Sequence, residues 1–455
     1  MNSLLILLAL AMCAGIAVLV PVYGVPAVVL CGTLAAAVGF GISRVKEDGP
    51  FLLRIFIGGL LVRMLIGALI FIFQLQEFFG GDAFTYDFYG AALLKVWQGE
   101  RFYMVHVDMF VGSNTSGGGG WGMLYYVASI YRLTGPNMLA VQFVNSIVGA
   151  ATAPLIYLCA RHIFNNQRTA RLTALFVAFF PSLVLWSAQG LKDGPIVFLL
   201  SFAMLATLKL GEKLSPKYIV LLALALFCLL SLRFYIFYMV IAAIAGAFVI
   251  GMREATARNF LRQFVVIVFL GLSLTYLGVT RYAGSQFENY ANLQAVQRSR
   301  SDLATSAKSG FGKDVDVSTT GGAITAIPIG FLYLMFAPFP WQLASLRQMI
   351  TLPEMLIWWA SFPMLVLGFW YSVKFRLRQI SPILIFTTML TLAYSVFQGN
   401  VGTAYRQRAQ ILVFYFMFVA VGFVLMKERR EDRKRQRVAA RQAHPVFARR
   451  SSPNA

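Results

Sequence analysis

Apolar stretches of about 17 to 25 residues recur along this chain, each long enough to cross ~30 Å of hydrocarbon as a helix. That recurrence leaves few folds open. In lipid every backbone N–H and C=O must be satisfied inside a helix or inside a closed barrel. The alternating ten-residue patterns of a barrel are absent. The chain is 59% hydrophobic and 13% charged, where a soluble domain carries about 25% charged residues. The expected class is all-α, a polytopic transmembrane helical bundle.

Twelve spans are expected, near residues 3–21, 24–42, 54–75, 138–160, 172–189, 194–211, 217–232, 234–252, 263–280, 354–373, 381–397 and 410–426. Lys/Arg-bearing connections set the sides. Arg44/Lys46/Arg54, Arg161/Arg168/Arg171, Lys209/Lys213/Lys217, Arg253/Arg258/Arg262 and Lys374/Arg376/Arg378 then share one face with the C-terminal tail, and the positive-inside bias makes that face cytoplasmic. The segment from Ile324 to Trp341 is apolar but holds Pro328, Pro338 and Pro340. Counted as a span, it would throw Lys374, Arg376 and Arg378 outward, so it is expected to be interfacial or re-entrant. Trp121–Arg132 is amphipathic and is expected along the interface. The organisation that follows is a bundle over residues 1–426, with outer loops 76–122 and 281–353, and a basic, disordered cytoplasmic tail over 427–455. Both termini are expected on the cytoplasmic side of a plasma or inner membrane, with the charged outer loops on the other side. The first segment lacks a positive n-region and reads as a retained helix.

The net charge of +21 would suit nucleic acid, but its placement does not. After Met426 the tail carries ten basic and three acidic side chains, leaving +7 in one segment. No aromatic-interleaved basic fold accompanies it, so anionic lipid is the expected partner and nucleic acid is not. Cys13, Cys31, Cys159 and Cys228 lie in apolar spans and read as small hydrophobes. His106, His162 and His444 are too scattered for a zinc site. No cofactor is predicted, although Asp82 and Asp87 are able to supply part of a divalent-cation site. No internal repeat marks an inverted-repeat transporter. Gly117–Gly120 has no Lys-Ser/Thr of a nucleotide-binding loop.

The same topology collects unusual charges on the outer face. Gly80-Gly81-Asp82 and Asp87 follow the third span, with His106 and Asp108 further along. Lys192-Asp193 sit in a tight turn, Arg233-Phe234-Tyr235 join two spans, and Arg406 and Arg408 precede the last span. Ionisable groups at membrane depth are costly and face a cavity or a partner. Lys192, Arg233, Arg406 and Arg408 would form a cationic pocket for a lipid phosphate, since arginine binds phosphate bidentately and lysine supplies a point charge. Asp82 would be the general base, with Asp87 its competitor for that role.

Plainer roles compete. Asp82 or Asp87 would cap the helix containing Ala91–Val96. Lys192 and Asp193 would pair with each other, and Arg233 would snorkel to a headgroup. His106 and Asp108 read as solvated loop residues. Trp341, Trp358 and Trp359 read first as an interface belt.

The stretch Gly80-Gly81-Asp82-Ala83-Phe84-Thr85-Tyr86-Asp87 resembles the GT-C superfamily of integral-membrane glycosyltransferases, which includes protein O-mannosyltransferases and lipid A aminoarabinose transferases. Phe180-Pro181-Ser182-Leu183-Val184-Leu185-Trp186-Ser187, Leu191-Lys192-Asp193 and Gly402-Thr403-Ala404-Tyr405-Arg406 are similar to segments of bacterial relatives in polysaccharide synthesis. The resemblance covers about residues 54–250 and, loosely, 399–426. It implies a polyprenyl-phosphate-linked sugar donor, transfer with inversion, a glycan or lipid acceptor in cell-envelope or exopolysaccharide synthesis, and Asp82 as base. Lys192, Asp193, Arg233, Tyr235, Arg406 and Arg408 would hold substrate. Two features depart from the family. The first loop has no adjacent acidic pair, which leaves Asp82 and Asp87 both open. The chain also lacks a large soluble C-terminal domain, which disfavours a peptide-acceptor oligosaccharyltransferase. An O-antigen-type polymerase or ligase is the competing enzyme, and a lipid-linked oligosaccharide flippase is the competing transporter.

Overall fold

Among the described residues each of the twelve expected segments is mostly helical, with 172–189 divided between two helices, as apolar runs must be where only intrahelical bonds can satisfy the backbone. The computed structural model describes residues 3–117, 120–250, 257–276, 278–290, 292–305, 309–343 and 345–443. Helices α1 (Ser3–Leu19) and α2 (Pro21–Ser43) lead to α3 (Gly49–Ile72). The first outer loop is largely helical: α4 (Gln76–Gly80), α5 (Asp82–Trp97), a 3-10 turn and α6 (Met104–Gly117), followed by α7 (Trp121–Thr134). Next come α8 (Met138–Phe164), α9 (Gln167–Phe179), α10 (Pro181–Ser187), α11 (Asp193–Glu212), α12 (Pro216–Leu232) and α13 (Phe234–Ile250). The chain continues through α14 (Ala257–Tyr276), α15 (Val279–Tyr290), α16 (Leu293–Thr305), α17 (Thr320–Phe336), α18 (Leu346–Phe397) and α19 (Val401–Ala443). Among the described residues there is no strand, only a single bridge between Gly310 and Asn400.

Six of these helices are long and apolar enough to cross a membrane, or seven if the bent pair α9–α10 is one span. The expected twelve also counts α1, α12, α13 and part of α14, which are apolar but shorter. The 52-residue α18 is two helices joined at Arg376, whose φ of −134° and ψ of 20° break the helix. In the first half Glu354 meets Tyr405 and Phe369 meets Phe418; in the second, Phe386 meets Phe414 and Tyr394 meets Gln410. The two halves therefore run in opposite directions along α19, and the chain reverses at Arg376 as two spans require.

Arg63, fully buried in α3, explains the 53° bend between α9 and α10. Pro181 cannot donate a backbone hydrogen bond, which frees carbonyls one turn earlier. The Arg63 guanidinium donates to Ala178 O (2.7 Å), Val177 O (3.3 Å) and Ser187 Oγ (2.8 Å). Close approach of α8 is needed here: a Cβ on Gly149 would lie 2.4 Å from Ser187 Cβ.

Three of the segments that charge counting grouped, the connections at 44–54 and 161–171 and the tail, do meet. Arg161 pairs with Glu47 (2.9 Å), Arg171 with Asp48 (2.5 Å) and Arg168 with Glu431 (3.4 Å). Asp82 pairs with Arg406 at the opposite ends of their spans. Three expectations are corrected. Helix α19 runs unbroken to Ala443, so residues 427–443 of the tail are helical because the chain simply propagates the last span; 444–455 lie outside the described residues. Trp358 is core, its indole N–H donating to Met335 O (2.8 Å), while Trp341 is 74% exposed. Helix α7 is amphipathic as expected, yet its apolar face packs against α5 and the bundle.

Candidate active site

Four separate turns bring charge to the head of α19. Asp82 opens α5, Lys192 precedes α11 and Asp193 begins it, Arg233 separates α12 from α13, and Arg406 lies in the second turn of α19. Asn145 of α8 shapes the α10–α11 turn. Its amide donates to Gln189 O (2.6 Å) and Leu191 O (2.9 Å), and its carbonyl accepts from the Tyr126 hydroxyl (2.9 Å). Asn400 organises the start of α19, accepting from Gly402 N–H (2.8 Å) and Ser309 Oγ (2.9 Å).

The result is a string of alternating charge. Arg406 Nη1 lies 2.7 Å from Asp82 Oδ2, and Arg406 Nε lies 2.6 Å from Asp193 Oδ2. The other Asp193 oxygen is 3.7 Å from Arg233 Nη2. Asp193 is almost completely buried, whereas the Asp82 side chain is 56% exposed. Buried carboxylates survive only with such partners. Asp82 is the member of the string most open to solvent.

Tyr235 lies below Arg233, its ring centroid 5.8 Å from the guanidinium carbon, and its hydroxyl is 3.2 Å from that of Tyr394. Tyr394 in turn donates to Gln410 (2.7 Å). Lys192 makes no ion pair among the described residues; its ammonium sits 6.0 Å from the Tyr86 ring centroid. Burial, followed by the nearby Arg233 guanidinium, lowers the Lys192 pKa to about 7. The structure thus gathers Asp82, Lys192, Asp193, Arg233, Tyr235 and Arg406.

Two expected site residues go elsewhere. Asp87 accepts a hydrogen bond from Tyr131 of α7, and burial pushes its carboxyl above the usual range. Arg408 is buried on another side of α19 and donates to the carbonyls of Leu334 (3.3 Å), Met335 (3.0 Å) and Ala337 (3.3 Å) at the end of α17. It is a clamp on a helix end, not part of the cationic pocket. The plainer roles also change. Neither Asp82 nor Asp87 caps α5, because the helix already begins at Asp82 and no side chain bonds its first turn. Asp193 pairs with the two arginines and not with Lys192, and Arg233 is buried beside it instead of snorkelling.

A cavity of about 460 Å³ adjoins the string, with Arg406 in its wall. Trp186 and Phe79 supply aromatic surface, while Gln348, Asn400 and Thr403 supply hydrogen-bonding groups. Trp186 also lies under the Arg406 guanidinium at 5.9 Å. Sequence reasoning missed Trp186, Asn145, Asn400 and Tyr394 as site residues. A polar side chain inside an apolar span was the available signal for Asn145.

Residues 121–277, about a third of the chain, match the family model for dolichyl-phosphate-mannose-protein mannosyltransferase. The matched segment includes Lys192, Asp193, Arg233 and Tyr235, and excludes Asp82 and Arg406. A crystal structure of an Archaeoglobus fulgidus oligosaccharyltransferase, in complex with Zn and sulfate, aligns with 72% of the chain at 15% identity and a TM-score of 0.43. The chain spans 43% of that protein's length. A search of curated proteins found no match.

Proposed function

We propose that this chain is a membrane glycosyltransferase that moves a sugar from a polyprenyl-phosphate-linked donor to an acceptor hydroxyl, in cell-envelope or exopolysaccharide synthesis. The string Asp82–Arg406–Asp193–Arg233, with Lys192 beside it at the edge of a cavity, is the observation that carries the reading. Asp193 holds Arg406 and Arg233 in place before any ligand arrives. A guanidinium has five N–H donors, so Arg406 keeps donors beyond those directed at the two carboxylates. Lys192, Arg233 and Arg406 would receive the donor phosphate and stabilise the charge that grows on it as the bond to the sugar breaks. Asp82, exposed beside Arg406, would take the acceptor proton while the hydroxyl oxygen attacks the sugar carbon. The new C–O bond forms as the old one breaks, polyprenyl phosphate leaves, and the configuration inverts. The sugar would lie against Trp186 with Asn400, Gln348 and Thr403 within the same cavity.

The basic loops gather at the other end of the spans, which supports an outer-face site under the positive-inside bias. A lipid-linked donor suits that side, where cytoplasmic nucleotide sugars do not reach. The test is reconstituted protein with polyprenyl-phosphate sugar, reading release of polyprenyl phosphate. Turnover is expected in the parent protein and not in Asp82→Asn. Full turnover in Asp82→Asn would remove Asp82 from the mechanism. Lipid movement across vesicles without any transfer would replace the enzyme with a flippase.

A further inference from the structure

Helix α9 forms a ridge between α3 and α19 at the end where the basic loops gather, and a groove runs along each side of it. The larger groove, about 630 Å³, is floored by Leu172, Leu175, Phe423 and Val424 and rimmed by Arg168, Arg171, Lys427 and Arg430. The smaller, about 300 Å³, is lined by Phe51, Ile55 and Phe179 and rimmed by Arg54 and the same Arg171. Along the ridge Arg171, Leu175 and Phe179 recur every four residues and are exposed. One cation therefore heads an apolar stripe with a groove on either side.

Five cations meet two carboxylates here. Arg171 is held by Asp48 (2.6 and 2.5 Å) and Arg168 by Glu431 (3.4 Å). Arg54, Lys427 and Arg430 have no ion pair among the described residues and are exposed. A chain-sized apolar floor beneath a net positive rim is complementary to one kind of molecule, an amphiphile with an anionic head. We propose that the grooves flanking α9 bind an anionic phospholipid, with its acyl chains along the apolar floors and its phosphate against Lys427, Arg430 and Arg168. This site is separate from the Asp82 cluster and does not depend on the transferase reading.

The full chain in detergent would be titrated with dioleoyl phosphatidylglycerol or dioleoyl phosphatidylcholine, reading retained lipid by native mass spectrometry and the thermal midpoint. The anionic lipid should bind about tenfold tighter or better, as expected for several basic side chains at a lipid surface. Glycerol phosphate, which has the head but no chains, should give no shift; a shift equal to that of the lipid would mean a free-phosphate site and would overturn the proposal. Arg168→Gln/Lys427→Gln/Arg430→Gln should abolish the preference, and the exposed Arg430→Gln alone should weaken it severalfold if the triple variant does not fold. Arg376→Gln/Arg378→Gln, at another basic turn of the same face, should leave it intact. Equal preference in the parent, triple and single variants, or equal loss in the Arg376/Arg378 control, would show only unspecific attraction to basic protein.

Discussion

Arg406 and Arg408 stand two residues apart at the head of α19 and meet opposite surroundings. Arg406 bonds two carboxylates, one of them exposed, and forms part of a cavity wall. Arg408 is sealed from solvent and bonds main-chain carbonyls at the end of α17. Arg63 and Arg300 follow the second pattern. Arg63 closes the α9–α10 bend, and Arg300 donates to Val396 O (2.8 Å) and Gln398 O (2.7 Å). Buried arginines in this bundle thus divide into those aimed at carboxylates and those that satisfy carbonyls where helices end. Only the first kind leaves charge available to a ligand.

The sharpest way to break this division is the carboxylate that Arg406 presents. Asp82→Asn should lower turnover by about 10²- to 10⁴-fold, the range of a lost general base. Its thermal midpoint should stay near the parent value, since Asp82 is largely exposed. Asp87→Asn should behave the other way, keeping most turnover. If Asp87→Asn is inactive and Asp82→Asn is not, the base is Asp87, beside Tyr131. Asp193→Ala comes next. It leaves Arg233 buried without its counter-ion and Arg406 with Asp82 alone, and loss of one partner of such a pair costs about 3–5 kcal/mol. Unfolding in detergent reads this, and an unchanged midpoint would show that the string is not a stabilising unit.

The two arginines themselves should separate by readout. Arg406→Gln should raise the donor KM by about tenfold or more, as for loss of a charge-assisted bond. Arg408→Met should leave that KM unchanged and cost about 1–3 kcal/mol of stability, because the α17 carbonyls lose their donor. A shift of KM in both variants would erase the distinction. A gentler effect concerns pH. Lys192 has a pKa of about 7 in the free protein. A bound phosphate favours the ammonium and raises that value, so donor affinity should be full below pH 7. It should weaken as pH rises through 7 toward the bound-state value, by up to tenfold per unit; Lys192→Gln should flatten the profile. The smallest effect belongs to the basic end. Arg171 holds the Asp48 carboxyl down to about 2. Its depressed value means that the stabilisation is present above the unfolded carboxyl pKa and is lost as pH falls toward 2. Asp48→Asn should remove at most about 1 kcal/mol, as for other partly exposed pairs, measured as the loss of acid dependence in the midpoint.

Arg408 shows why part of the site was not legible. Residues 399–408 read as a turn, and in a turn both arginines are free to point one way. They form the first turns of a helix, where side chains two apart project to different faces. Asp82 and Asp87 are separated in the same manner, because the expected loop around them is α5. The helical nature of that loop was hidden by its glycines and aromatics, which carry weak helix propensity.

Composition and spacing alone determined that the chain is a helical membrane bundle, since lipid leaves the backbone few ways to satisfy its hydrogen bonds. Loop charge also grouped Asp82, Lys192, Asp193, Arg233 and Arg406 on one face, because moving charge across a bilayer is costly enough to leave a record in the sequence. Which acid meets which base was decided only by tertiary structure. Those pairings join residues as far apart as Asp82 and Arg406, and they depend on helix rotation, the α9–α10 bend and the reversal at Arg376. No local pattern encodes such angles; packing sets them.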